Sequence, residues 1–166
     1  MSLGTTRVSF DMRLIDMYES AGGRVRISEL GQLEAISSAL DAPEIKVSRG
    51  SAPKIKAHIE EKLASLGWAT NVRIEVDKGP ALNAFHFTGV ALQVQAGNIA
   101  RAFYDLLKLE AVVQMKKASL GVLIVPTNAA AKQLGDNLAN FERITSEHRL
   151  LFADIIRMPL IVMGFE

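Results

Sequence analysis

The sequence predicts an α/β protein, a mixed sheet with flanking helices, and three observations carry that expectation. Residues 90–95 alternate with period two, Val90, Leu92 and Val94 against Ala91, Gln93 and Gln95, which is the pattern of a strand. Ahead of it, Ile55, Ile59, Leu63 and Leu66 share one face of a helix. After it, residues 120–125 form an unbroken apolar run, as in a strand buried on both faces.

Taken in order, residues 11–19 read as a helix stopped by Gly22-Gly23, and residues 29–40 as a second helix closed by Asp41-Ala42-Pro43. These two are expected to form an N-terminal cover. Ser51-Ala52-Pro53 opens a third helix, with proline in its first turn and Gly67 as a left-handed cap before Trp68. Strands at 71–77, 82–87 and 90–95 follow as a meander, turned at Gly79-Pro80 and at Thr88-Gly89. A two-residue loop at Thr88-Gly89 would pair Phe87 with Val90, His86 with Ala91, Phe85 with Leu92 and Ala84 with Gln93. Asn98 is placed to cap a helix over 98–112 whose Ile99, Ala102, Phe103 and Leu106 face inward. The strand at 120–125, helices at 128–134 and 138–144, and a buried strand at 160–163 complete the order.

Composition narrows the function classes. A chain of 166 residues, 49% hydrophobic and 22% charged, fits one domain, divided into a helical cover (1–50) and a core (51–166). It has no cysteine, which excludes disulfides and thiolate metal sites and points to an intracellular, cytoplasmic setting. No apolar run approaches a membrane span, and Met1-Ser2-Leu3-Gly4-Thr5-Thr6-Arg7 lacks the apolar segment of a secretion signal. The net charge of +1 means that any nucleic-acid contact must come from local clusters. His58, His86 and His148 show no ligand spacing, so a zinc site is not expected.

The strand Val90-Ala91-Leu92-Gln93-Val94-Gln95 runs directly into Gly97-Asn98-Ile99-Ala100-Arg101 and then Tyr104-Asp105-Leu106-Leu107-Lys108-Leu109. The Gly67-Trp68 stop precedes them, and Gly121-Val122-Leu123-Ile124-Val125-Pro126-Thr127 and Pro159-Leu160-Ile161-Val162-Met163-Gly164 follow. In this order the pieces resemble the BamHI/BglII type of restriction endonuclease, of the PD-(D/E)XK nuclease superfamily, over residues 52–165. The resemblance implies the restriction endonuclease-like core, helix, three-strand meander, helix, strand. It also implies a type II restriction endonuclease of a restriction-modification system, a Mg²⁺-dependent phosphodiester hydrolase that cuts double-stranded DNA. Such nucleases read palindromes as homodimers, matching the two-fold of the DNA.

Chemistry in that family needs one acid on the second strand and one on the third, because Mg²⁺ prefers carboxylate, carbonyl and water oxygens. The metal stabilises charge on the phosphate and helps generate hydroxide. Where the family usually carries Glu-Val-Gln, this chain has Gln93-Val94-Gln95, and the two-residue register places Ala84 opposite Gln93. Both expected carboxylates are then missing. By the resemblance, Gln93 and Gln95 occupy catalytic positions, with Asp77 and Glu61 as displaced acids and Asp77 and Gln93 as metal ligands. Asp77 also reads as part of a polar turn, and Glu60 and Glu61 as a solvated helix face. His86 lies two positions beyond Ala84 and reads either as a pocket residue or as a packed strand histidine.

For DNA contact, Lys46, Arg49, Lys54 and Lys56 occur with no acid among them, and Ser48-Arg49-Gly50-Ser51 feeds a helix start. Asn98 and Arg101 follow the glutamine strand, and Arg101 also lies four positions from Asp105, a spacing for a helix ion pair. Two functions follow from the sequence: a DNA endonuclease with a displaced acidic set, or a catalytically inactive relative that keeps the fold for DNA binding or protein association.

Overall fold

The computed structural model describes residues 10–75 and 79–166. Its centre is a six-stranded sheet in the order β2-β8-β7-β6-β5-β4. The strands are β2 (Leu14–Ser20), β4 (Ala69–Arg73), β5 (Ala81–His86), β6 (Val90–Val94), β7 (Leu120–Pro126) and β8 (Leu160–Phe165). The β6·β7 and β7·β8 pairs are parallel and the others antiparallel, so the sheet is mixed. β1 (Phe10–Met12) and β3 (Ala42–Val47) pair separately, antiparallel.

Two buried clusters lie on the two faces. Leu120, Val122 and Ile124 of β7 join Ile161, Met163 and Phe165 of β8 under the helices α2 (Leu33–Leu40), α3 (Ala52–Ser65) and α5 (Asn128–Leu134). The alternate residues, Leu123, Val125, Leu160 and Val162, pack against α4 (Ile99–Gln114) and α6 (Phe141–Glu147). This is why both strands read as continuous apolar runs: each face has its own core.

The sequence expectation from residue 52 onward matches in type and order, with α3, the meander, α4, β7, α5, α6 and β8 all present. Gly67 has φ 91°, as a left-handed cap requires. Of the apolar stripe on α3, Ile55, Ile59 and Leu63 are fully buried, whereas Leu66 is 41% exposed beyond the helix end.

Residues 10–50 differ from the two helices expected there. In place of a helix over 11–19 stand β1 and β2, separated at Arg13, and β2 pairs with β8 at the edge of the main sheet, Met17 opposite Met163 and Tyr18 opposite Val162. A partner so distant in sequence leaves no local signal, and the pairing overrides helix propensity. Gly22-Gly23 starts a helix rather than stopping one. α1 (Gly23–Glu29) begins so close to β8 that a Cβ on Gly23 would lie 2.1 Å from the Leu160 carbonyl oxygen. The single helix expected over 29–40 is divided, because Gly31 takes φ 68° between α1 and α2.

The β5–β6 hairpin also departs from expectation, and here the departure matters for function. The connection has three residues, Phe87-Thr88-Gly89, closed by Gly89 N–H donating to His86 O at 2.9 Å with Gly89 at φ 103°. The register is therefore His86 with Val90, Phe85 with Ala91 and Ala84 with Leu92. Ala84 belongs to the core and does not face Gln93. One step further along this register, the residue opposite Gln93 is Asn83.

Candidate functional site

Beyond the last paired residues of β5 and β6, side chains take over from the backbone ladder. Asn83 N–H donates to Gln93 Oε1 at 2.7 Å, and Val94 N–H donates to Asn83 Oδ1 at 2.8 Å. The nitrogen of Asn83 donates to Glu60 Oε1 of α3 at 3.0 Å. Gln93 Nε2 donates to Asp105 Oδ1 of α4 at 2.9 Å, and Gln95 Nε2 donates to Asp105 Oδ2 at 2.7 Å. Gln95 Oε1 accepts Gly97 N–H at 2.9 Å.

The orientation of all three amides follows from this pattern. Each amide oxygen is fixed by a backbone N–H, which can only donate, so each amide nitrogen must face a carboxylate. Three neutral side chains are thus locked between backbone donors and two acids. The network lines a groove of about 590 Å³ together with Arg101, Lys108 and Lys56.

α4 carries the other half of the site. Asn98 caps it as expected, its side chain accepting Ala100 N–H at 2.8 Å. The cap is tied to a neighbouring loop by Ala139 N–H donating to Gly97 O at 2.7 Å. Asp105 sits on the buried stripe of this helix with Ala102, Leu106 and Leu109. Its ion-pair partner is Lys108, 3.4 Å away, and Arg101 makes no such pair with it among the described residues. Lys108 also donates to the Ala81 carbonyl at 2.9 Å.

The other sequence candidates are scattered. Asp77 lies outside the described residues. Glu61 is exposed on α3 and does not line the groove, whereas its neighbour Glu60 reaches Asn83. His86 packs at the opposite end of the strand, 5.3 Å from the Trp68 ring, and its Nδ1 meets the Thr88 hydroxyl at 2.7 Å. Burial holds its pKa below the ordinary value of 6.5. Arg49 is exposed and 3.7 Å from Asp136, and Lys54 is exposed in the first turn of α3. Lys56 is 3.8 Å from Glu60.

Asn83 is not among the site candidates of the sequence, and Asp105 is read there in a structural role, as a helix ion-pair partner. Asn83 was hidden by one residue of register. Asp105 did leave a signal, a carboxylate on the apolar stripe of an amphipathic helix, where an acid is found only when it has partners.

The sequence profile of a family described as restriction endonuclease BglII/BglIII matches residues 18–165. The chain belongs to that family. A solved structure titled "Crystal structure of free BglII" superposes with a TM-score of 0.57, covering 92% of this chain and 79% of that one at 12% identity, which establishes a shared fold. No curated protein matches the sequence. Membership implies descent from DNA-binding nucleases, a family in which divalent-metal dependence is typical.

The residues of this groove do not fit such an ion. A hard divalent cation needs charged oxygens directed at it. Here the amide oxygens are neutral and already accept backbone N–H groups, and both Asp105 oxygens accept amide N–H groups. Among the described residues no three His, Asp or Glu side chains converge on a metal position. No helix of the described residues is long and apolar enough to cross a membrane.

Proposed function

We propose that this protein binds duplex DNA through the groove between α3, β6 and α4 and leaves the phosphodiester intact, as an inactive member of the restriction endonuclease family. The observation that carries this reading is the closed amide network. By the resemblance, the facing positions Asn83 and Gln93 are those that would carry the carboxylates of the family chemistry, and their polar atoms are taken up by protein partners. Gln95 and Glu61 then have no catalytic part.

Arg101 in the groove wall supplies positive charge of the kind phosphates require, and Asn98 caps the helix that carries it. Arg49 and Lys54, exposed just before and within the first turn of α3, extend the basic surface. A homodimer is supported by exposed apolar side chains, Tyr104 and Leu107 on α4 and Leu150, Leu151 and Ile155 beyond α6. A Phe103–Phe152 ring contact at 5.2 Å places these two segments side by side.

Mobility shift of mixed-sequence duplex DNA, with sedimentation of the protein alone, tests the reading. A retarded complex, intact DNA after incubation with Mg²⁺ or Mn²⁺, and a dimeric species are expected. Failure to bind any duplex would remove the DNA-binding role, and a monomer at every concentration would remove the two-fold.

A further inference from the structure

A nuclease that holds its phosphate through a metal has a groove of acids, and without the ion that groove repels DNA. In this groove the acids are replaced by amides, and Asp105 is engaged by three donors, Gln93, Gln95 and Lys108. Glu60 lies behind Asn83 and beside Lys56, so those two charges offset one another. Lys108 is likewise offset by Asp105, so among the described residues lining the groove Arg101 carries the uncompensated charge, with Lys108 seven positions on and hence two turns along the same helix face.

Lys108 is held in an unusual way for a lysine. Its side chain is only 9% exposed, one N–H donates to the Ala81 carbonyl at 2.9 Å, and a second faces Asp105 at 3.4 Å. The Tyr104 ring lies 5.5 Å from the ammonium. An ammonium has three hydrogens and Lys108 lines the groove, so it keeps donor capacity beyond its bond to Ala81. Arg101 has no ion pair or side-chain hydrogen bond among the described residues, and it lines the same groove.

We infer that Lys108 and Arg101 seat a backbone phosphate of duplex DNA directly, so that binding needs no divalent cation. The inference rests on the DNA-binding reading above and adds the residues that hold the phosphate and the independence from metal. Pre-positioning of Lys108 by Ala81 and Asp105 lowers the side-chain entropy lost on contact. The neutral amides remove the repulsion that a metal would otherwise have to offset.

The experiment is a fluorescence anisotropy titration of labelled mixed-sequence duplex into the full-length protein, in EDTA and in Mg²⁺, across a range of salt. Equal affinity in the two media is expected. Lys108→Met, which keeps most of the apolar stem, and Arg101→Ala should each weaken binding about tenfold and reduce the salt slope by about one phosphate contact, while Lys108→Arg retains binding. Binding that appears only with Mg²⁺ overturns the inference and leaves the DNA-binding reading standing. Binding in EDTA that neither substitution weakens also overturns it, since the phosphate must then sit elsewhere. No binding in either medium removes the DNA-binding reading itself. Arg101 is exposed, so its variant carries the test even where Lys108→Met fails to fold.

Discussion

Two buried carboxylates lie five residues apart on α4, Asp105 at 5% and Glu110 at 7% exposure, and they are held in opposite ways. Glu110 accepts the backbone N–H of Met158 at 2.7 Å and the side chain of Gln114 at 3.0 Å, fastening the chain that leads into β8. Asp105 accepts only side-chain donors and opens on the groove. A backbone N–H is present whatever residue stands at 158, so Glu110 serves the fold. The two hydrogen-bond donors to Asp105 exist only because positions 93 and 95 are glutamine, so its cluster is specific to this chain's side chains. The difference separates a structural acid from one belonging to a functional surface, although both are equally buried.

The largest effect expected from this comparison is at Glu110. Glu110→Ala leaves the Met158 N–H buried without an acceptor and should cost about 3 kcal/mol, read from urea unfolding. An unchanged unfolding midpoint would show that this contact does not anchor β8. Next comes Gln93→Glu, which replaces an N–H donor 2.9 Å from Asp105 Oδ1 by a carboxylate oxygen. In EDTA near neutral pH the fold should lose about 2 kcal/mol from like-charge repulsion. Added Mg²⁺ or Mn²⁺ should raise the melting temperature of this variant and not of the parent. Equal melting with and without metal would mean that the two carboxylates do not face each other.

Asp105→Asn is a smaller change, because one oxygen still accepts a glutamine N–H while the other is replaced by a donor facing a donor. A loss of about 1–2 kcal/mol in thermal or urea unfolding is expected. The smallest effect lies away from the groove, at His86. Its Nδ1 accepts the Thr88 N–H at 3.3 Å, which requires an unprotonated nitrogen. Since its folded pKa is lowered, the contribution to stability is fully present above the ordinary value of 6.5 and is lost as pH falls through and below it. His86→Gln should flatten that slope between neutral and mildly acid pH, as measured by denaturation at several pH values.

The legibility of the sequence divided along the same lines. From α3 to β8 each element is set by local periodicity and caps, such as Asn98 and Gly67, and these were readable. β2 was not, because its partner β8 lies at the other end of the chain and its Met17 and Tyr18 carry as much helical as extended pattern. At the site, Gln93 and Gln95 were readable as a polar pair on one strand face. Their partner on β5 was misplaced to Ala84, since turn chemistry at Thr88-Gly89 suits a two-residue loop as well as the three-residue loop observed. Replacements that rebuild the carboxylate pair therefore belong at Asn83 and Gln93. The contacts of Asp105 with Gln93 and Gln95 were hidden because a contact between a helix and a strand edge leaves no spacing rule in sequence.

The amide network leaves no place for a catalytic metal among the described residues of the groove. The most direct measurement of this is incubation of large genomic DNA with the unaltered protein and Mg²⁺ or Mn²⁺ near neutral pH, followed by electrophoresis, beside the Asn83→Asp, Gln93→Glu double variant. Uncut DNA is expected with the unaltered protein, and no change in its melting temperature on adding either metal. Discrete fragments from the unaltered protein, abolished by EDTA, would contradict it.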